Sequence, residues 1–248
     1  MSIEKCGSLR YKTGSEIRSD AWRALGESRQ YLRFAIAVML LEIVREILNV
    51  GMLTSCRFLA PGRHLVLGVH LMLLLTVLYF MGYYMWGMYA TAIAVMRHGL
   101  TFRYMFSGWG HGWRMLWIAV VAGIYLLLWS FPLIVPGLVK FCSYAMTWCV
   151  AVDHPDWSAN RCIAESCRMM NGRKWGYFCM LSGFMWWVVL VVGWNIFVMH
   201  IGLPPLMGTL ALCLLMPYIT TANAAFYEDL LELDAQRRLN LTATADGE

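Results

Sequence analysis

The sequence predicts an all-α fold: a polytopic transmembrane helical bundle of about six spans, with amphipathic helices on its cytoplasmic surface. Three observations carry that expectation. The 248-residue chain is 60% hydrophobic and only 14% charged, where a soluble domain averages roughly 25% charged residues. Its apolar runs approach or exceed the roughly 20 residues that a helix needs to cross the hydrocarbon core. Its lysines and arginines gather at alternate ends of those runs.

The elements divide the chain into residues 1–30, a cytoplasmic N-terminal tail; 31–229, the integral membrane domain; and 230–248, a cytoplasmic C-terminal tail. Residues 1–30 are polar and basic, and no short apolar region with a small-residue cleavage site follows them, so no signal peptide is expected. Within the tail, SEIRSDAWRALG reads as a short helix with Ser15 as its N-cap and Gly26 as its stop. Ile17, Ala21, Trp22 and Leu25 share one face, which suits either the membrane surface or the protein itself.

Span one is Phe34–Leu53. Span two lies within His64–Met96, where 33 residues make about 50 Å of helix. Such a helix has to tilt, kink near Gly82 or Gly87, or project out of the bilayer. Span three is Met115–Val135, span four Gly137–Val152, span five Tyr177–Met199 and span six Leu206–Phe226. Between spans four and five, SANRCIAESCRMMNG reads as a second amphipathic helix. Ser158 caps it, Gly172 ends it, and Ile163, Ser166, Cys167 and Met170 lie opposite Arg161, Glu165 and Arg168. This helix is expected to lie along the cytoplasmic membrane surface.

Orientation follows from the cations. Lys5, Arg10, Lys12, Arg18, Arg23, Arg29 and Arg33 precede or open span one. Arg97, Arg103 and Arg114 lie between spans two and three, Arg161, Arg168, Arg173 and Lys174 between four and five, and Arg237 and Arg238 after six. The opposite side holds only Arg57 and Arg63. Both termini are therefore expected in the cytoplasm.

In SFPLIVPGLVK, Pro136 and Gly137 are expected to end span three and start span four, because proline removes a backbone donor and disfavours helix before it. Lys140, one turn later, either reaches the outer headgroups or turns into the bundle towards an acidic partner. GLPPLMG at 202–208 repeats the proline turn between spans five and six. GYYMWG at 82–87 is expected to pack helices closely through its glycines.

The second half of the chain resembles the domain-of-unknown-function 975 (DUF975) family of bacterial integral membrane proteins. The residues that carry the resemblance are Trp129, Pro136, Gly137, Lys140, Ser143, Tyr144, Asp153, Pro155, Met170, Gly172, Pro217, Tyr218, Phe226 and Tyr227. The resemblance implies a multi-pass protein of a bacterial cytoplasmic membrane, and it implies no activity.

The polar feature that stands out inside the membrane is Glu42, Arg45 and Glu46 in span one. Charges at the bilayer centre cost at least ~2.5 kcal/mol each on insertion scales. The three residues can neutralise one another or, with Lys140, form a functional cluster. No catalytic constellation, metal-ligand spacing, nucleotide loop or nucleic-acid pattern accompanies them, so no enzyme activity, metal or cofactor is expected. The eight cysteines include no C-x-x-C pair and read as small hydrophobes. The leading functional expectation is an accessory or scaffold protein that binds membrane lipid, a protein partner or a second copy of itself. The alternative is a small transporter or channel subunit using the span-one charges.

Overall fold

Leucine-, valine- and aromatic-rich runs with few charges leave their backbone polar groups one economical solution, the helix. In the computed structural model, every regular element among the described residues is helical. The structure describes residues 12–26, 28–58, 63–99, 102–130, 134–202 and 205–245. The helices are α1 (Gly14–Leu25), α2 (Ser28–Phe58), α3 (Arg63–His98), α4 (Phe102–Met105), α5 (Gly112–Ser130), α6 (Ile134–Tyr144), α7 (Thr147–Asp153), α8 (Ala159–Met169), α9 (Lys174–Ser182), α10 (Met185–His200) and α11 (Pro205–Ala245). A short 3-10 turn, η1, covers Ser107–Gly110.

Among the described residues one helix, α5, is by itself long and apolar enough to cross a membrane, and only 17% of its most apolar window is buried. The pair α9 and α10 passes the same test jointly, but the two are bent by 49°. Packing is uneven. Buried residues gather in the second half of α3, in α6 to α9 and in α11 beyond Cys213, whereas α10 and the second half of α5 leave most of their apolar side chains uncovered.

Two expected spans are broken, each for a visible reason. Span four divides at Ala145–Met146 into α6 and α7. The Ser166 hydroxyl donates to the Ser143 carbonyl at 2.7 Å, so a side chain occupies the acceptor that a continuous helix would offer to Thr147. Span five bends where Arg18 of α1 donates to the carbonyls of Cys179 and Met180, at 3.4 and 3.1 Å. The Phe184 N–H turns instead to Leu181, which closes α9 two residues short of α10.

Span two, by contrast, is one helix through both glycines. It uses them for close approach: a Cβ on Gly82 would collide with the Gly112 carbonyl of α5, and one on Gly87 with the Met105 carbonyl. Pro136 and Gly137 do not form the break between α5 and α6. They lie inside the first turn of α6, where a missing N–H leaves no helical bond unmade. Gly137 is buried against Ser130. Pro132 lies outside the described residues.

The N-cap of α1 is Thr13, not Ser15. Its side chain accepts from the Glu16 N–H while Glu16 reaches back to the Thr13 N–H, a reciprocal capping box. Ser158 does cap α8, and Gly172, at φ +80°, turns the chain into α9. Neither amphipathic helix needs lipid to cover its apolar face. Ile17, Ala21 and Leu25 of α1 are buried, with α11 and α9 as the main neighbours, and the face of α8 packs on α5, α6 and α7. Trp22 is the exception, 54% exposed.

Candidate functional site: locked charges and an aromatic groove

Glu42 and Arg45 of span one pair locally. Arg45 donates to Glu42 at 2.5 Å, one helical turn away on α2, and the side chain of Glu46 lies outside the described residues. Lys140 has a different environment. Its ammonium sits 4.3 Å from the centre of the Trp129 ring across the α5–α6 hairpin, so a cation–π contact takes the place of an acidic partner. Glu42, Arg45 and Lys140 thus have separate local partners and do not converge.

The convergent charges are elsewhere, at the ends of α3 and α7. Arg97 at the end of α3 forms a two-pronged pair with Asp153 at the end of α7, at 2.9 and 2.7 Å, and a further bond to Glu228 of α11 at 2.7 Å. The fork geometry of guanidinium suits this double carboxylate contact. The Asp153 carboxylate and its hydrogen bonds hold Arg97 more firmly protonated than usual. Burial raises the Glu228 pKa, and the Arg97 charge only partly opposes that shift. Arg114 secures the loop that follows, donating at 2.9 Å to each of the carbonyls of Ala151, His154 and Trp157. Asp153, the last residue of α7, and Pro155, in the loop after it, are therefore held from both sides.

Two more arginines, in three pairs, extend the set. Arg173 and Asp229 meet at 2.7 Å and are the most buried ion pair among the described residues, 10% and 4% exposed. Burial raises the Asp229 pKa, opposed by Arg173. Arg168 binds Glu165 at 2.6 Å and Asp234 at 2.5 Å. Its hydrogen bonds lower the pKa of both carboxylates. Sequence reasoning placed Arg97, Arg114, Arg168 and Arg173 on one side but did not foresee these partners. The acidic pair Glu228–Asp229, directly after the apolar run of α11, was the available signal.

The remaining family-pattern residues are structural neighbours. Tyr144 is the last residue of α6, and Phe226 is buried edge-on to Tyr177. Tyr227 is buried as well. Pro217 lies within α11, where the Thr221 hydroxyl donates to its carbonyl at 2.7 Å. Tyr218 packs edge-on against both Trp22 and Phe184.

Tyr218 also borders a groove of about 420 Å³ among α1, α2, α10 and α11. Trp22 and Tyr31 form one edge, Trp187 and Trp194 of α10 the other, and Leu214 and Leu215 of α11 the floor. The Tyr31 hydroxyl donates to the Leu214 carbonyl, which ties α2 to the floor. The lining is apolar and aromatic, a composition suited to hydrocarbon rather than to a charged solute.

Against known proteins, the model of a family described as "Protein of unknown function (DUF975)" matches residues 29–234. No curated protein and no solved structure matches the chain.

Proposed function

The chain belongs to the DUF975 family, and on that premise we propose a six-span protein of a bacterial cytoplasmic membrane, with both termini inside, that serves as an accessory or scaffold by binding lipid or a protein partner. One contrast carries this reading: Glu42, Arg45 and Lys140 are each held by a local neighbour, while apolar surface is left uncovered. Glu42 and Arg45 neutralise each other, and Lys140 rests on Trp129, which argues against a polar path through the bundle. Trp186, Trp187, Leu190, Ile196 and Met199 of α10 are each more than half exposed. Burying such area in lipid or in a partner is worth about 25 cal/mol per Å² relative to water.

A transporter is the second reading. The broken α9–α10 helix favours it, because interrupted helices line substrate sites in transporters. So do the Thr91 and Thr147 hydroxyls, which are buried without a hydrogen-bond partner.

Reconstitution separates the two. Purified protein in vesicles loaded with a pH-sensitive dye, under an imposed potassium potential, is expected to leak no faster than protein-free vesicles. A proton flux that disappears in the Glu42→Gln/Arg45→Gln double variant would overturn the accessory reading.

A further inference from the structure

We propose that the groove among α1, α2, α10 and α11 is a binding site for one anionic phospholipid of the cytoplasmic leaflet, holding part of an acyl chain beneath α1. The proposal deepens the accessory reading and rests on its placement of α1 at the inner membrane surface.

The shape favours a chain over a helix. Trp187 and Trp194 lie seven residues apart, so the α10 edge of the groove runs about 10 Å. A transmembrane helix of that length, about 10–12 Å across, fills two to three times the groove's volume. An extended hydrocarbon segment fits the 420 Å³ available.

The roof is fixed in place. The Tyr218 hydroxyl donates to the Arg18 carbonyl at 3.4 Å, and the Arg18 guanidinium is anchored on the carbonyls of Cys179 and Met180. Trp22 stacks its edge on Tyr218, 5.5 Å between ring centres. The α1 helix therefore closes one end of the groove, and Leu190 of α10, more than half exposed, leaves its side open to lipid.

Charge complementarity selects the headgroup. Arg23 follows Trp22 by one residue and Arg33 follows Tyr31 by two. Both are exposed and have no ion-pair partner among the described residues, whereas Lys12 is paired with Asp20. Arg23 lines a neighbouring polar depression with Lys12, Glu16, Ser19 and Asp20, and these two guanidiniums, within one helical turn of the groove residues Trp22 and Tyr31 in sequence, suit a phosphate that carries a net negative charge. A neutral zwitterionic headgroup offers them less.

The test is native mass spectrometry of the full chain in mild detergent, with phosphatidylglycerol and phosphatidylethanolamine of identical acyl chains added in equal amounts. The expected result is one phosphatidylglycerol per chain, retained at collision energies that strip phosphatidylethanolamine. Leu190→Trp, which fills the groove from an exposed position, is expected to lower that occupancy at least tenfold. Arg23→Glu/Arg33→Glu, at two exposed positions outside the packed core, is expected to abolish the preference between the two lipids. Equal retention of both lipids by the native chain, or unchanged retention in both variants, would overturn the proposal. So would a polypeptide bound in the lipid's place and released by Leu190→Trp. A flux in the vesicle experiment would instead count against the accessory reading while leaving the lipid count as it stands, so the two failures are distinguishable.

Discussion

Replacing Asp229 with asparagine removes one charge from the most buried ion pair while keeping its shape. At 2.7 Å the attraction to Arg173 is about 6 kcal/mol for an effective dielectric of 20. Desolvation of the two ions costs several kcal/mol each, so the intact pair contributes little net stability. Breaking it is different: the Arg173 guanidinium, 10% exposed, keeps its desolvation cost and loses the Asp229 charge. Asp229→Asn is therefore expected to destabilise by ~3 kcal/mol or more, a large share of the 5–15 kcal/mol typical of a folded domain. Arg173→Met/Asp229→Leu removes both charges and is expected to lie within ~1 kcal/mol of the native chain or above it. Unfolding in mixed micelles with increasing dodecyl sulfate, followed by tryptophan fluorescence, measures both. A single variant as stable as the native chain, or a double variant as damaged as the single, would refute the reasoning.

Two further predictions use the same assay. Gly82→Ala is expected to cost ~1–3 kcal/mol by forcing α3 away from the Gly112 carbonyl. Gly123→Ala on α5, where a Cβ meets nothing within 4 Å, is expected to be neutral or to gain ~0.5–1 kcal/mol. The pH dependence around Arg168 also has a definite sign. The pKa values of Glu165 and Asp234 are lowered by their hydrogen bonds to Arg168, so their contribution is present above the unfolded carboxyl range and lost as pH falls through the folded-state values. Arg168→Ala is expected to cost up to ~1 kcal/mol near neutral pH, because the arginine is 49% exposed, and nothing once both carboxylates are protonated. Glu228, raised by burial, works in the opposite sense: its protonated form is favoured in the fold, so stability rises as pH falls through its raised pKa.

The all-helical class was legible because apolar run length and low charge leave few other folds. Local signals also held at Ser158, Gly172 and the close glycines at 82 and 87. What composition could not show was the source of each interruption. The break in α6–α7 depends on Ser166, 23 residues from the carbonyl it takes. The bend in α9–α10 depends on Arg18, more than 160 residues away. Proline was a poor guide by comparison: Pro136 and Pro217 both sit inside helices. The charged network escaped sequence reasoning for the same reason, since Arg97 finds Asp153 and Glu228 at separations of 56 and 131 residues. Glu42 and Arg45 drew attention because they were local, and they pair with each other.

The placement of the ion-pair network at the cytoplasmic face is the claim on which the account turns, and reporter fusions test it most directly. Alkaline phosphatase and a fluorescent protein are fused in turn after residues 60, 99, 132, 172, 202 and 248. Phosphatase activity is expected only after 60, 132 and 202, and fluorescence only after 99, 172 and 248. Phosphatase activity after 99 or 172 would put Arg97, Asp153 and Arg173 on the outer side and contradict the six-span orientation.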